Sequence, residues 1–103
     1  MMKSPTTSRD TEVRRALAER GDSGRTPRHT LFYFYGGKLD GLRNAAVGTG
    51  YKVSPTVHHD GLVLEITTAV DEPSFESHTR QMEMWAEEFG CEYDGWECQL
   101  VVQ

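Results

Sequence analysis

Three observations predict an α+β fold for this chain. Two segments, 38–47 and 73–89, repeat apolar residues at helical spacing, and four others, 30–35, 51–57, 62–70 and 91–102, alternate or run apolar as strands do. Their order, behind a short opening helix, is β-α-β-β-α-β. That is the split βαβ of a ferredoxin-like sandwich: a four-stranded antiparallel sheet with two helices on one face, plus a short N-terminal helix. The 103 residues suffice for one domain, and the expected division is a disordered leader over 1–10 and a single domain over 11–103.

The elements follow in order. From Asp10, the residues Val13, Ala16 and Leu17 form the stripe of a short helix, with Gly21 suited to the position after its end. Asp22, Ser23, Gly24 and Pro27 mark a loop. The run Thr30-Leu31-Phe32-Tyr33-Phe34-Tyr35, closed by Gly36-Gly37, is the clearest strand. Leu39, Leu42, Ala46 and Val47 keep helical spacing; Gly41 weakens that helix, and Gly48 or Gly50 ends it. Tyr51–Val57 alternates but contains Pro55, so it belongs at a sheet edge or stops early. The turn His58-His59-Asp60-Gly61 leads into Leu62–Val70, which completes a hairpin.

Pro73 opens the strongest helix, with Asp71 and Glu72 near its positive end. Its stripe is Phe75, His78, Met82, Trp85, Ala86 and Phe89. Glu76 and Arg80 stand at i, i+4 on the other side, and Gly90 ends the helix. The last segment alternates on Cys91 and Tyr93, slips by one residue at Asp94-Gly95, and resumes on Trp96, Cys98, Leu100 and Val102. A slip with a glycine inside it predicts a β-bulge. The first strand is apolar on both faces, so its second face must be covered by the N-terminal helix or a partner, or else form an interaction patch.

Charge divides the chain. Residues 1–30 carry seven Lys/Arg against four acids, whereas residues 31–103 carry four against twelve. An acidic domain repels phosphates and attracts basic partners, which argues against direct nucleic-acid binding by the main domain. No apolar run exceeds five residues and the leader is polar, so neither a membrane span nor an export signal is expected, and the expected location is cytoplasmic. Reduced thiols are then the default for Cys91 and Cys98. In one continuous strand these two would lie about 23 Å apart; across a two-residue hairpin at Asp94-Gly95 they would face each other. No spacing among His29, His58, His59, His78 and the cysteines matches a zinc site, and no phosphate-binding or nucleophile motif appears, so no metal, cofactor or catalytic residue is expected. His78 falls on an apolar stripe and reads as a core or boundary histidine.

The densest cluster is Glu92-Tyr93-Asp94-Gly95-Trp96-Glu97. As structure, it is a bulge with aromatics packed on either side. As function, aromatics beside carboxylates suit a surface that recognises a basic partner. An RNA platform built on the first-strand aromatics and the basic arm is the rival. An RNA-recognition motif needs aromatics on its third strand, where this chain has Leu62-Val63-Leu64-Glu65-Ile66-Thr67-Thr68.

The segment from Trp85 through Phe89-Gly90-Cys91 to Glu92-Tyr93-Asp94-Gly95-Trp96 resembles the C-terminal signature of the RraB-type regulators of ribonuclease E activity. The resemblance implies a ferredoxin-like sandwich that is not an enzyme and that binds and inhibits a ribonuclease through protein–protein contact. Better-known members have a long acidic C-terminal tail, whereas the sequence here stops at Gln103, and the arm before the domain is basic. The expected partner is a ribonuclease or RNA-processing protein, with Glu83, Glu87, Glu92, Asp94 and Glu97 as the docking charges and Tyr93 and Trp96 as apolar anchors.

Overall fold

The strand expected at 30–35 extends two residues further back, as β1 (Arg28–Tyr35), and lies inside the sheet. The other elements of the computed structural model are α1 (Thr6–Glu19), α2 (Leu39–Thr49), β2 (Lys52–Pro55), β3 (Gly61–Thr68), α3 (Glu72–Phe89) and β4 (Glu92–Cys98); it describes residues 6–56 and 60–101. Helix α1 begins at Thr6, four residues before the Asp10 start that its apolar stripe suggests. The turn residues His58 and His59 lie outside the described residues.

The sheet order is β2-β3-β1-β4 with every pair antiparallel. This is the predicted split βαβ arrangement. β2 is an edge strand and stops at Pro55, because proline cannot donate to a ladder. The described helices α1, α2 and α3 end on the same device. Asp22, Tyr51 and Cys91 donate their N–H groups to the carbonyls of Leu17, Ala46 and Ala86, and the preceding glycine has positive φ each time.

The core lies between the sheet and the helices. Phe32 stacks on Phe75 at 5.6 Å, Phe75 meets Trp96 at 4.4 Å, and Phe34 stacks on Tyr93 at 5.1 Å. Leu42 and Ala46 of α2 join Met82 and Trp85 of α3 in the same buried cluster. Helix α1 adds Leu17 and Val13 to that cluster, while Arg14 Nε donates to the Val70 carbonyl at 2.9 Å. Gly41 has a packing role: a Cβ there would meet the Phe89 ring at 2.8 Å. Gly37 is under a tighter constraint, since its φ is +72° and a Cβ would meet the Gly90 carbonyl oxygen at 2.5 Å. There the turn after β1 presses against the turn after α3, and Lys38 N–H donates to Phe89 O at 2.8 Å.

Polar contacts at the margin of this core make the fold sensitive to pH. The Tyr51 hydroxyl is 2.6 Å from His78 Nδ1. Burial pushes the Tyr51 phenol up to about 12 and holds the His78 imidazole below its ordinary value. The phenol therefore donates to a neutral ring. Folding thus disfavours imidazolium at position 78, and stability should fall as pH drops through about 6.5, where the unfolded imidazole takes up its proton.

The second contact is the fully buried pair Asp22–Arg28. Both Asp22 oxygens accept from the Arg28 guanidinium, Oδ1 also accepts from Gly24 N–H at 2.9 Å, and Oδ2 accepts from Val101 N–H at 2.8 Å. Arg28 further donates to the carbonyls of Thr26 and Gln99. One carboxylate thereby ties the end of α1, the start of β1 and the chain beyond β4. The hydrogen bonds from Arg28, outweighing burial, hold the Asp22 carboxyl well below the usual carboxylate range. A depressed folded pKa means that this stability is present above the unfolded value near 3.9 and is lost as pH falls below it. Asp22→Ala should cost about 3–5 kcal/mol in urea denaturation at neutral pH, because it strands a buried guanidinium. The same variant should unfold with a flatter dependence on pH below about 4.

Candidate functional site

Alternation along β1 commits Phe32 and Phe34 to the helix side, so Leu31, Tyr33 and Tyr35 face the other way. Register brings their neighbours to the same face. Leu31 stands between Glu65 of β3 and Glu97 of β4, Tyr33 opposite Val63, and Tyr35 opposite Glu92. Lys52 lies beyond Glu65, and Ser54 beyond Val63. Leu31, Tyr33, Tyr35 and Val63 are half-buried and stand outside the core cluster. Helix α1 does not spend its apolar side chains here, because Val13 and Leu17 pack into the core on the helix side.

This face is apolar in the middle and acidic around it. Tyr33, Tyr35, Asp94, Glu97 and an edge of the otherwise buried Trp96 line an open depression of about 300 Å³, and His29, Lys52 and Glu65 border another of about 280 Å³. The Tyr33 hydroxyl donates to Glu97 Oε1. Burial first, and the neighbouring Glu97 second, push the Tyr33 phenol up to about 12. Glu65 sits 2.6 Å from His29 Nε2 and accepts from Ser54 Oγ at 3.2 Å; the His29 contact chiefly lowers its pKa. Four carboxylates, Glu65, Glu92, Asp94 and Glu97, thus surround the aromatics, against a single lysine, Lys52.

The bulge sorts the signature segment between the two faces. Between Phe34↔Tyr93 and Phe32↔Trp96 the register shifts, so Asp94 and Gly95 together oppose Tyr33. Gly95 takes φ +94°. The extra residue places Tyr93 and Trp96, three apart in sequence, on one face, and both are buried in the core at 5% and 4% exposure. The aromatics expected as partner anchors therefore serve packing instead, since their rings are spent against Phe34 and Phe75. Asp94 emerges on the opposite face beside Tyr33 and Tyr35.

The expected acidic set divides in two. Glu92, Asp94 and Glu97 come together on the uncovered sheet face. Glu83 and Glu87 are exposed on α3, in the helix layer that packs against the other face. The sequence marks the second apolar face of the first strand, but its pattern does not join Tyr33, Tyr35, Val63 and Glu65 to the docking set. Only the cross-strand register joins them to Glu92, Asp94 and Glu97.

Both cysteines are free, and β4 runs continuously from Glu92 to Cys98, so the hairpin that would pair them does not form. Burial pushes both thiols up, away from reactive thiolate. Among the described residues, no group of three or more His, Cys, Asp or Glu is placed to hold a metal ion. Among those residues, too, no helix is long and apolar enough to cross a membrane.

Fold and surface together define a small α+β domain with one sheet face that none of the described helices covers, aromatic at its centre and acidic around it. The family described as RraB, Regulator of ribonuclease activity B, matches residues 7–98, from α1 to the last residue of β4, and the chain belongs to this family. Its members are non-enzymatic regulators, and membership gives the chain a regulatory role connected with ribonuclease activity. No curated protein matches the chain.

The two halves of the signature should separate in denaturation experiments. Trp96→Ala should cost about 3–5 kcal/mol through the cavity it leaves against Phe75. Gly95→Ala should cost about 1–2 kcal/mol from its positive φ. Asp94→Asn should shift stability by no more than about 0.5 kcal/mol, as expected of a surface position.

Proposed function

We propose that this chain binds a ribonuclease of the ribonuclease E kind, or another RNA-processing protein, and inhibits it by protein–protein contact. The observation that carries the reading is the uncovered sheet face with Tyr33 and Tyr35 ringed by Glu65, Glu92, Asp94 and Glu97. A protein that handles RNA holds phosphates with cations, and an anionic surface complements the same cations. Carboxylates steer the encounter from a distance, and the tyrosines and Leu31 supply apolar contact once water is expelled. Glu83 and Glu87 add to the steering field from the helix layer.

The competing reading takes Tyr33 and Tyr35 as a stacking platform for single-stranded RNA, assisted by the basic arm. Aromatics on an open sheet favour it; the four surrounding carboxylates oppose it, because they repel the phosphates that dominate such binding.

The test is cleavage of a short RNA by purified ribonuclease with and without the chain, together with binding measured at low and high salt. Inhibition that weakens with salt is expected. A variant combining Glu92→Lys, Asp94→Lys and Glu97→Lys should raise Kd by at least about tenfold. Glu83→Lys with Glu87→Lys should act mainly on the association rate. Salt-independent binding, or RNA binding lost on exchanging the exposed Arg15, Arg20 and Arg25 for Gln, would defeat the regulator reading.

A further inference from the structure

We propose that the occupant of the uncovered sheet face is an extended, arginine-bearing segment of the partner, selected over a lysine-bearing one. This deepens the regulator reading and rests on it. The argument starts from the position of the carboxylates relative to the rings. Tyr33 and Tyr35 stand two residues apart on β1, roughly 7 Å along the strand, and turn the same way. Glu92 lies across from Tyr35, Asp94 and Gly95 across from Tyr33, and Glu97 accepts the Tyr33 hydroxyl. On the other flank Glu65 faces Leu31 from β3.

Each ring therefore has a carboxylate on an adjacent strand, about 5 Å away in the sheet. A guanidinium meets that arrangement with two different surfaces. Its plane lies on the aromatic ring, and its edge N–H groups reach the neighbouring carboxylate in the same pose. A lysine ammonium is a compact, strongly hydrated charge and must give up one contact to make the other. The face is also suited to an extended chain, since its side chains at i and i+2 would follow the spacing of Tyr33 and Tyr35.

Charge complementarity favours a cationic occupant over a neutral one. Among the described residues, no lysine or arginine forms an ion pair with Asp94 or Glu97. The tyrosines are held in place by the sheet, and Tyr33 is further fixed by its bond to Glu97. The recognition surface therefore exists before binding, and little ordering of this chain accompanies docking.

The experiment titrates the full chain calorimetrically with two synthetic peptides, identical except that alternate positions are all arginine in one and all lysine in the other. The arginine peptide should bind about tenfold more tightly. Tyr33→Leu combined with Tyr35→Leu should abolish that preference, while Tyr33→Phe should retain most of it, because the ring face remains. Asp94→Asn with Glu97→Gln should weaken both peptides. Circular dichroism of each variant separates lost recognition from lost fold.

Equal affinity for the two peptides, or amide chemical shifts confined to Glu83 and Glu87 on α3, overturns the assignment. So does single-stranded RNA that displaces the peptide from Tyr33 and Tyr35. If the ribonuclease is still inhibited in any of these cases, the regulator reading survives without this occupant. A clear arginine preference with no effect on the ribonuclease would support the occupant and defeat the regulator reading.

Discussion

Successive side chains of β1 point to opposite faces of the sheet, and this strand lies between β3 and β4, so one short run of residues determines both the core and the surface. Arg28, Thr30, Phe32 and Phe34 are buried on one side. His29, Leu31, Tyr33 and Tyr35 form a row on the other. A shift of one residue in its pairing would exchange these sets, placing Tyr33 against the helices and Phe32 in water. What holds the register is partly the aromatic packing of Phe32 and Phe34, and partly the bond network at the start of the strand. There Arg28 is locked to Asp22, which also grips the backbone beyond β4. Both flanks of the fold thus meet at one buried carboxylate.

The bulge in β4 is the matching device on the neighbouring strand. Without an extra residue, Tyr93 and Trp96 would face opposite sides, and one of them would lose its contact in the core. With it, both rings pack inward while Asp94 turns out beside Tyr33. The segment that most strongly suggests the family is therefore chiefly structural in its aromatics and its glycine. Its carboxylates, Glu92 and Asp94, stand on the opposite face. The same five residues satisfy a packing requirement on one face and present charge on the other.

Much of the architecture was legible because it follows from local periodicity. The stripe Phe75–Phe89 buries as its spacing requires, Pro55 marks the edge strand, and the slip at Asp94-Gly95 is a bulge. The Glu76–Arg80 pair forms at its helical spacing. Boundaries moved where capping or tertiary bonds extend an element: β1 gains Arg28 and His29 because β3 continues to Thr68 beside them. The Asp22–Arg28 pair left no mark in the pattern, since a loop aspartate and an arginine look solvated when read in sequence.

The candidate surface was only partly legible, for the same physical reason. Composition and charge established an acidic domain, and alternation established that the first strand has a second apolar face. Neither says which carboxylates share that face. Glu65 on β3 is tens of residues away from Glu92 and Glu97 on β4, and only backbone pairing through β1 brings it to their face. Tyr93 and Trp96 looked like anchors because a sequence gives no depth; the sheet turned their rings inward. What the sequence determined by itself was the order, type and amphipathic faces of the elements, all set by spacing within a few residues. What only the tertiary structure decided was which faces meet, because strand register and the network at Asp22 join residues as far apart as Asp22 and Val101.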